Sequence, residues 1–580
     1  MAQLTRPLLR HFMRRLVDND LLSAHADRHE SLAFWAGAMA AGSGFLTMLL
    51  AQKYYLAFGS PGQTALMILE DKFLLIALAM IVMALATVAQ WDALALDARD
   101  AAILSPLPIR TRELVAAKAA AIGLFSAGAA MALTLAPSVL HPIFATTGIR
   151  IGLVNTARLI GAQLVASILA AAFAFLAVLA WRESLRLVLG QRGFARISGM
   201  VQALLVLGLV TSFLLIVGGA AGSATSLTGA GGPKAGSRLA LPALWFLGLA
   251  ETLGGNAIIP ANAIDDNAIR AYTSRQPRFR QLARTGLLAT GVAGAVGAVA
   301  YAWNSRRLPQ PLPRSRRRRR LRDASRRVAN LLVARTALQR AGFFFTLHAL
   351  TRSAPQRIAL SVALAVAVAL TAATFGGSGL APPLEEEPVR LSVWALQTFI
   401  MMAMMVGVRH AMAVPAELRA NWIFHQCWPE DLRAFTTGVR RTALVVVALP
   451  AVLGLLPFHA YLLGGGTALF HSLIGVLIAR LLLTPILSGR RMPPFISSYV
   501  SRGNLKLAPL HLLGAAIFAL SLAGLERASS ASLRGGAMFA IGLVLVIVGI
   551  EIVQMRRAAP ISPEIADAPD ASLQTLGLTG

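Results

Sequence analysis

Two short polar segments carry the residues best placed to act on something outside the chain. Residues 91–118 read WDALALDARDAAILSPLPIRTRELVAAK. Asp92, Asp97, Arg99 and Asp100 precede the break Ser105-Pro106-Leu107-Pro108, and Arg110, Arg112 and Glu113 follow it. Proline lacks an N–H and fixes its backbone angle, so a helix ends there and a new one starts, with Thr111 as a candidate N-cap. Residues 414–440 read VPAELRANWIFHQCWPEDLRAFTTGVR, with Pro415, Glu417, Arg419, Trp422, Phe424, Trp428, Pro429 and Arg433. Both segments place Arg four residues after Pro (Pro108 and Arg112, Pro429 and Arg433) and run on into an apolar helix. A rigid polar knuckle between two helices can pass force from a docked subunit to both. An ordinary loop anchored at the membrane surface is the plainer alternative, since interfacial Trp is often only an anchor.

Other chemistry finds little support. A nucleotide-binding loop needs G-x-x-x-x-G-K-[ST]. The lysines are Lys53, Lys72, Lys118, Lys234 and Lys506, and none follows glycine. One cysteine, Cys427, leaves no intrachain disulfide and no multi-Cys zinc site. His25 and His29 have i, i+4 spacing but no H-E-x-x-H context, and His410, His425, His459, His471 and His511 show no ligand spacing. Met401, Met402, Met404 and Met405 read as apolar filler, so no metal and no cofactor is expected in the chain. No G-x-S-x-G elbow or kinase signature occurs, and no catalytic residue is assigned. Arg480 lies deepest in an apolar stretch, which makes it a candidate functional charge, although snorkelling to the membrane surface is open to it. Gln163, Gln397 and Thr398 are expected to serve helix–helix hydrogen bonds.

These residues must be held by membrane helices. The 580-residue chain is 56% hydrophobic and only 14% charged, with a mean hydropathy of +0.65. Soluble domains carry about 25% charged residues. The net charge of +28 does not indicate nucleic acid. The arginines lie between apolar segments, and the run Arg314, Arg316 to Arg320 has no interleaved aromatics for base stacking. A cytoplasmic anchor that also meets anionic lipid fits that run better. The N-terminus shows no cleavable signal peptide, so the first apolar stretch is expected to target the chain.

The expected fold is an all-α polytopic membrane protein of about 12 transmembrane helices in two six-helix halves, with both termini cytoplasmic. A basic amphipathic stretch at 5–20 (Leu8, Leu9, Phe12, Leu16), within a cytoplasmic segment 1–30, precedes helices at about 31–51, 72–91, 115–137, 157–181, 198–221 and 284–304. These make a first unit, 31–305, with an outer loop at 222–283. Inside that loop, 239–253 is too short to span and reads as a re-entrant or surface helix. A basic linker and interfacial helix, 306–352, lead to a second unit, 353–555. Its helices fall at about 357–375, 391–413, 440–462, 466–487, 507–525 and 535–554, and a disordered tail, 556–580, follows. With the N-terminus inside, the arginine-rich loops fall inside, and Glu70, Asp71 and Glu385 to Glu387 fall outside, as the positive-inside rule requires. Arg270, Arg275, Arg278 and Arg280 in the long outer loop run against it, although long loops translocate regardless of charge.

The string Asp97 to Lys118 and the order of elements around it resemble the ABC-2 type permease, the membrane subunit of an ATP-binding-cassette exporter. The resemblance implies an interfacial connecting helix at 5–20, a coupling helix at 91–118 and a re-entrant outer helix at 239–253. It implies that Asp97, Pro106, Pro108, Arg110, Arg112 and Glu113 form one coupling surface, and Pro415, Glu417, Arg419, Trp422, Pro429 and Arg433 a second. It further implies separate ATP-binding subunits that carry ATP and Mg, membrane lipids as the other partner, and a bacterial cytoplasmic membrane. Two fused units in one chain, and no long outer loop in the second, depart from that family's usual plan.

Two other classes remain as expectations to test. A gradient-driven secondary transporter fits twelve helices in two halves. The acidic residues Asp71, Asp92 and Glu551 lie at helix ends on this reading, which argues against ion coupling. A membrane-embedded lipid-modifying enzyme would need clustered Asp, His or Glu facing a groove, and the sequence shows no such cluster.

Overall fold

The computed structural model describes residues 7–13, 28–56, 61–91, 93–94, 110–147, 151–217, 241–255, 257, 267–305, 336–378, 391–415, 424, 432–488, 494–496 and 508–557. Asp92, Asp97, Pro106, Pro108, Glu417, Arg419, Trp422 and Pro429 lie outside the described residues, as do the arginine run and the tail. Among the described residues there is no strand. Nine stretches there are long and apolar enough to cross a membrane. The helices bury polar groups and expose apolar ones, the reverse of a soluble surface. Asp71, Lys72, Glu251 and Glu526 are buried, while Leu153, Leu288, Met538 and Leu545 are exposed. The protein is an all-α, multi-pass membrane protein.

The chain divides into two compact units near residue 312, with Val206–Thr211 grouped with the second. The helices of the first are α1 (residues 7–13), α2 (Arg28–Leu56), α3 (Pro61–Ala89), α4 (Thr111–Thr146), α5 (Leu153–Val217), α6 (Pro242–Gly254), α7 (Asn267–Thr273) and α8 (Gln276–Ser305). Helix α2 packs along α4, and α6 packs between α3 and α8. At 1.5 Å per residue the 65-residue α5 would reach about 98 Å, roughly three hydrocarbon thicknesses. It is broken at Gly190, whose φ of 65° and ψ of 172° leave the helix, so α5 is two successive helices. Only glycine takes that angle without a Cβ penalty.

Helix α6 has 13 residues, about 20 Å, too short to span. Nine of them are buried, so α6 is inserted into the unit and does not lie on its surface. Gly248 allows this closeness, since a Cβ there would stand 2.7 Å from the carbonyl oxygen of Phe279 on α8.

Several boundaries differ from the sequence reading: α8 begins early, at Gln276, as does the second-unit helix Leu432–Ala443, and two further differences have a visible cause. Helix α3 begins at Pro61, not at 72, so Glu70 and Asp71 belong to a helix and not to an outer loop. Helix α4 continues to Thr146 through Pro137 and Pro142, past the expected end at 137. The charged triplet Glu70-Asp71-Lys72 and the two prolines read as stops. In the fold, buried pairing removes the cost of the Asp71 and Lys72 charges, and long apolar flanks carry the helix through its prolines.

The second unit holds α9 (Ala337–Arg352), α10 (Ala354–Ser378), α11 (Leu391–Ala413), α12 (Leu432–Ala443), a π-helical turn (Leu444–Ala448), α13 (Leu449–Leu463), α14 (Gly465–Ser488), α15 (Ala508–Ser529) and α16 (Leu533–Arg557). The α12–π–α13 run is continuous. Gly464, with φ of 81°, turns it back so that α14 packs along α13. Thr336 caps α9, its side chain accepting from the Gln339 N–H at 3.3 Å. Helices α9 and α12 cross at two glycines. A Cβ at Gly342 would fall on the carbonyl oxygen of Phe435, and one at Gly438 on that of Gln339.

Gly438→Ala is therefore expected to destabilise the second unit by about 1–3 kcal/mol through overpacking. Gly454→Ala, at a position with open space around it, is expected to leave stability unchanged or raise it by about 1 kcal/mol. Unfolding midpoints in detergent check both.

Candidate functional site

The described ends of the first polar segment are fixed on both sides. At its start Trp91 is buried and donates from Nε1 to Ser198 Oγ at 2.8 Å. Its ring stacks on Phe194, and the Arg182 guanidinium lies 5.6 Å from both ring centroids. Arg182 pairs with Glu183, whose carboxylate also accepts from Asn304 Nδ2 on α8 at 2.7 Å. Gln202 donates to the Val88 carbonyl at 3.0 Å. At the far end Arg110 precedes α4, and Arg112 and Glu113 stand in its first turn. Arg110 and Arg112 are exposed, and Glu113 is half-buried. Two turns on, buried Lys118 sits 4.8 Å from the Phe12 ring centroid of α1. Leu8 and Phe12 are both buried, so their face of the N-terminal helix is inside the protein.

The second polar segment is fixed in the same manner. At its start Gln356 Nε2 donates to the Val414 carbonyl at 2.9 Å, beside half-buried Pro415. In its middle Phe424 meets Phe345 of α9 edge-on, with centroids 5.5 Å apart. At its end Arg433 is exposed on α12, and that helix is held against α9. Thr442 Oγ1 donates to the Phe343 carbonyl at 3.0 Å, and Arg441 donates to Gln339 Oε1 at 3.1 Å. In each unit, then, the amphipathic helix that precedes the apolar set packs on the helix that leaves the polar segment.

Arg480 is paired. It donates to Glu551 Oε1 at 2.8 Å, and Arg440 donates to the same oxygen at 2.7 Å. Two cations on one half-buried carboxylate tie α12, α14 and α16 together, which is a structural use of the charge. Gln397 bonds across helices to the His471 carbonyl, as expected of it. Gln163 bonds within its own helix, to Ser167, and Thr398 Oγ1 has no hydrogen-bond partner.

Three buried ionisable clusters escaped the sequence reading. In the first unit Asp71 accepts from Lys53 and Tyr54, and its Oδ2 is 3.7 Å from His141 Nε2. The next residue, Lys72, pairs with Glu251 of α6 at 2.8 Å, and Glu251 also accepts from Tyr272 of α7. Burial, with the Glu251 carboxylate beside it, holds the Tyr272 hydroxyl well above the ordinary tyrosine range, so it remains a donor. In the second unit His471 Nδ1 lies 2.6 Å from Glu526 Oε1, and the His459 ring is 4.5 Å from the His471 ring. Asp71 and Glu251 were read as a helix-end charge and as part of an outer segment. The longer α3 and the inserted α6 bring them together. His459 and His471 lie on either side of the Gly464 turn, at similar distances from it, and that symmetry was the one available sequence signal. Among the described residues no group of three His, Cys, Asp or Glu side chains is arranged to hold a metal ion.

Compared with known protein families, curated proteins and solved structures, the chain gives no significant match.

Removing one member of the Lys72–Glu251 pair leaves a buried charge. Lys72→Met is expected to cost about 3–5 kcal/mol. Adding Glu251→Gln should recover a large part of that loss. A double-mutant cycle of detergent unfolding checks it, and additive losses would mean the pair is not coupled.

Proposed function

We propose that the chain is the membrane subunit of an ATP-driven exporter of the ABC-2 type, in a bacterial cytoplasmic membrane. On this reading it crosses the membrane twelve times in two six-helix halves with both termini inside. The nine apolar stretches, the break of α5 at Gly190, and helices α2 and α15, long enough at 29 and 22 residues, supply twelve crossings. Separate ATP-binding subunits carry ATP and Mg and dock on the two polar segments, and the chain itself catalyses nothing. Lipid is the other partner, and nucleic acid has no part.

The observation that carries the reading is the double fixing of each polar segment. Trp91 and the Phe12–Lys118 contact hold the described ends of one, while Gln356, Phe424 and the α9–α12 crossing hold the other. A segment fixed at both ends to different helices moves those helices when it is pushed. The buried α6, packed between α3 and α8, supports the same layout, since the resemblance places a re-entrant helix there.

A gradient-driven transporter is the second reading, and one observation favours it. Asp71, Glu251 and Glu526 are buried, and Asp71 lies well inside α3 and not at its end, which weakens the sequence argument against ion coupling. Intramembrane acids of this kind often carry coupling ions.

A gentle pull-down of the tagged full-length protein from its native membrane, with an ATPase assay, separates the two. The exporter reading expects a stoichiometric ATP-binding subunit, lost in Arg112→Glu and in Arg433→Glu while the membrane chain stays folded. A chain that comes out alone and inert to ATP, with both variants unchanged, overturns it in favour of the gradient.

A further inference from the structure

The cluster of His459, His471 and Glu526 differs from the other buried sets. Lys72 with Glu251, and Lys53 with Asp71, match a cation to each anion. Among the described residues no lysine or arginine pairs with Glu526, whose only ion-pair partner is His471. All three side chains are fully buried. Four of their polar atoms, Glu526 Oε2, His471 Nε2 and both nitrogens of His459, have no hydrogen-bond partner. Beside them stand Trp394, edge-on to His471 at 5.4 Å, Phe458, 5.2 Å from the His459 ring, and Gln397, whose Nε2 donates to the His471 carbonyl while its Oε1 has no hydrogen-bond partner.

A helix clip alone would not take this form. Apolar side chains of similar volume would pack α11, α13, α14 and α15 together without orphaning polar atoms, and often with greater stability. A lone carboxylate in this setting carries a large desolvation cost. One proton on the His471–Glu526 pair brings the net charge of the three groups to zero, whichever of the two atoms holds it. The orphan atoms offer further stations for that proton or for a water that carries it.

We propose that His459, His471 and Glu526 form a buried site that binds one proton. The site requires neither ATP nor a gradient as the energy source, so it does not rest on the preceding choice. Other charged groups on the surrounding helices lie apart from it. Arg409 and His410 on α11 stand at least 12 residues from Gln397, roughly 18 Å. Arg480 on α14 stands nine residues from His471, roughly 13 Å, and is engaged with Glu551. His511 is at the opposite end of α15, and Arg527 points about 100° round that helix from Glu526. Helix α13 carries no ionisable side chain near His459 other than Tyr461, which is exposed. On α16, packed against α14 and α15, Arg534 and Glu551 bond to none of the three.

The test follows from proton counting. Unfolded, the two histidines titrate near 6.5 and the glutamate near 4.3, so the three groups hold about two protons at pH 5, about one at pH 6.5 and none by about pH 8. On the proposal, the folded site holds one. Stability rises with pH wherever the unfolded state binds more protons. The contribution of this site therefore rises to about pH 6.5 and falls above it, each limb approaching a tenfold change in the unfolding constant per pH unit. In Glu526→Gln the folded site holds no proton, so the acid limb steepens to nearly two protons, stability is still rising at pH 6.5, and the alkaline fall disappears. In His459→Gln the folded site keeps its proton while the unfolded chain loses one histidine, so the acid limb flattens and the alkaline fall stays.

Equilibrium unfolding of the full-length chain in detergent, from pH 5 to about pH 8.5, reads all three proteins, and titrations elsewhere cancel in the differences. Wild type minus Glu526→Gln should fall with pH across the whole range, by close to tenfold in the unfolding constant per pH unit, whereas wild type minus His459→Gln should rise on the acid side and level off by about pH 8. A flat wild type minus Glu526→Gln curve above about pH 5.5 overturns the proposal and leaves a hydrogen-bonded clip. If Glu526→Gln does not fold, Glu526→Met, which removes the same proton, is read in its place with the same slope expected.

Discussion

Hydrocarbon offers no hydrogen bonds, so every polar group that a membrane helix carries must find its partner on another helix or reach the surface. This constraint explains most of what is specific in the fold. The helices are apolar almost throughout, and apolar side chains alone pack against lipid as readily as against one another. What makes a particular pair of helices neighbours is the small set of groups that lipid cannot satisfy. Lys72 and Glu251 fix α6 to α3, and Glu551 collects α12 and α14 through two arginines. Trp91, Ser198, Glu183 and Asn304 fix three separate stretches of the first unit to one another.

Close backbone approach supplies the rest. Gly248 lets α6 sit on α8, and Gly342 with Gly438 lets α9 sit on α12. In the second unit this places an amphipathic helix against the helix that emerges from a polar segment, and in the first the Phe12–Lys118 contact does so. The two contacts use different chemistry, an ammonium over an aromatic ring in one and a glycine crossing in the other. Shared layout with unshared detail is what a thin sequence match between halves leads one to expect.

Helix order and most helix positions were legible in the sequence, because runs of about 20 apolar residues have few other uses. The short α6 was legible for the same reason, being too brief to span. The limits of α3 and α4 were not. Charge and proline are stop signals only when nothing nearby compensates, and Lys53, Tyr54 and Glu251 compensate from segments 17 to 179 residues away in sequence. The buried clusters were hidden by the same separation. Arg480 illustrates the opposite case, since an intramembrane charge was plain in the sequence but its partner Glu551, 71 residues on, was not. The residues of the two polar segments were legible as motifs. Arg112 and Arg433 are exposed, Pro415 is half-buried, and several others lie outside the described residues.

The π-helical turn at Leu444–Ala448 stands between α12, which carries Arg433, and α13, which carries His459. A π turn holds more residues than an α turn, so the faces of the two helices are offset in phase. Phe435 and Val439 are buried on one side of that offset, Val452 and Leu455 on the other. The run is thus less a rod than a shaft with a slipping collar. A surplus residue can be handed from one turn to the next, which lets one end rotate while the other keeps its grip. Movement begun at the membrane surface can in this way arrive deeper in the protein as a change of angle and not as a displacement.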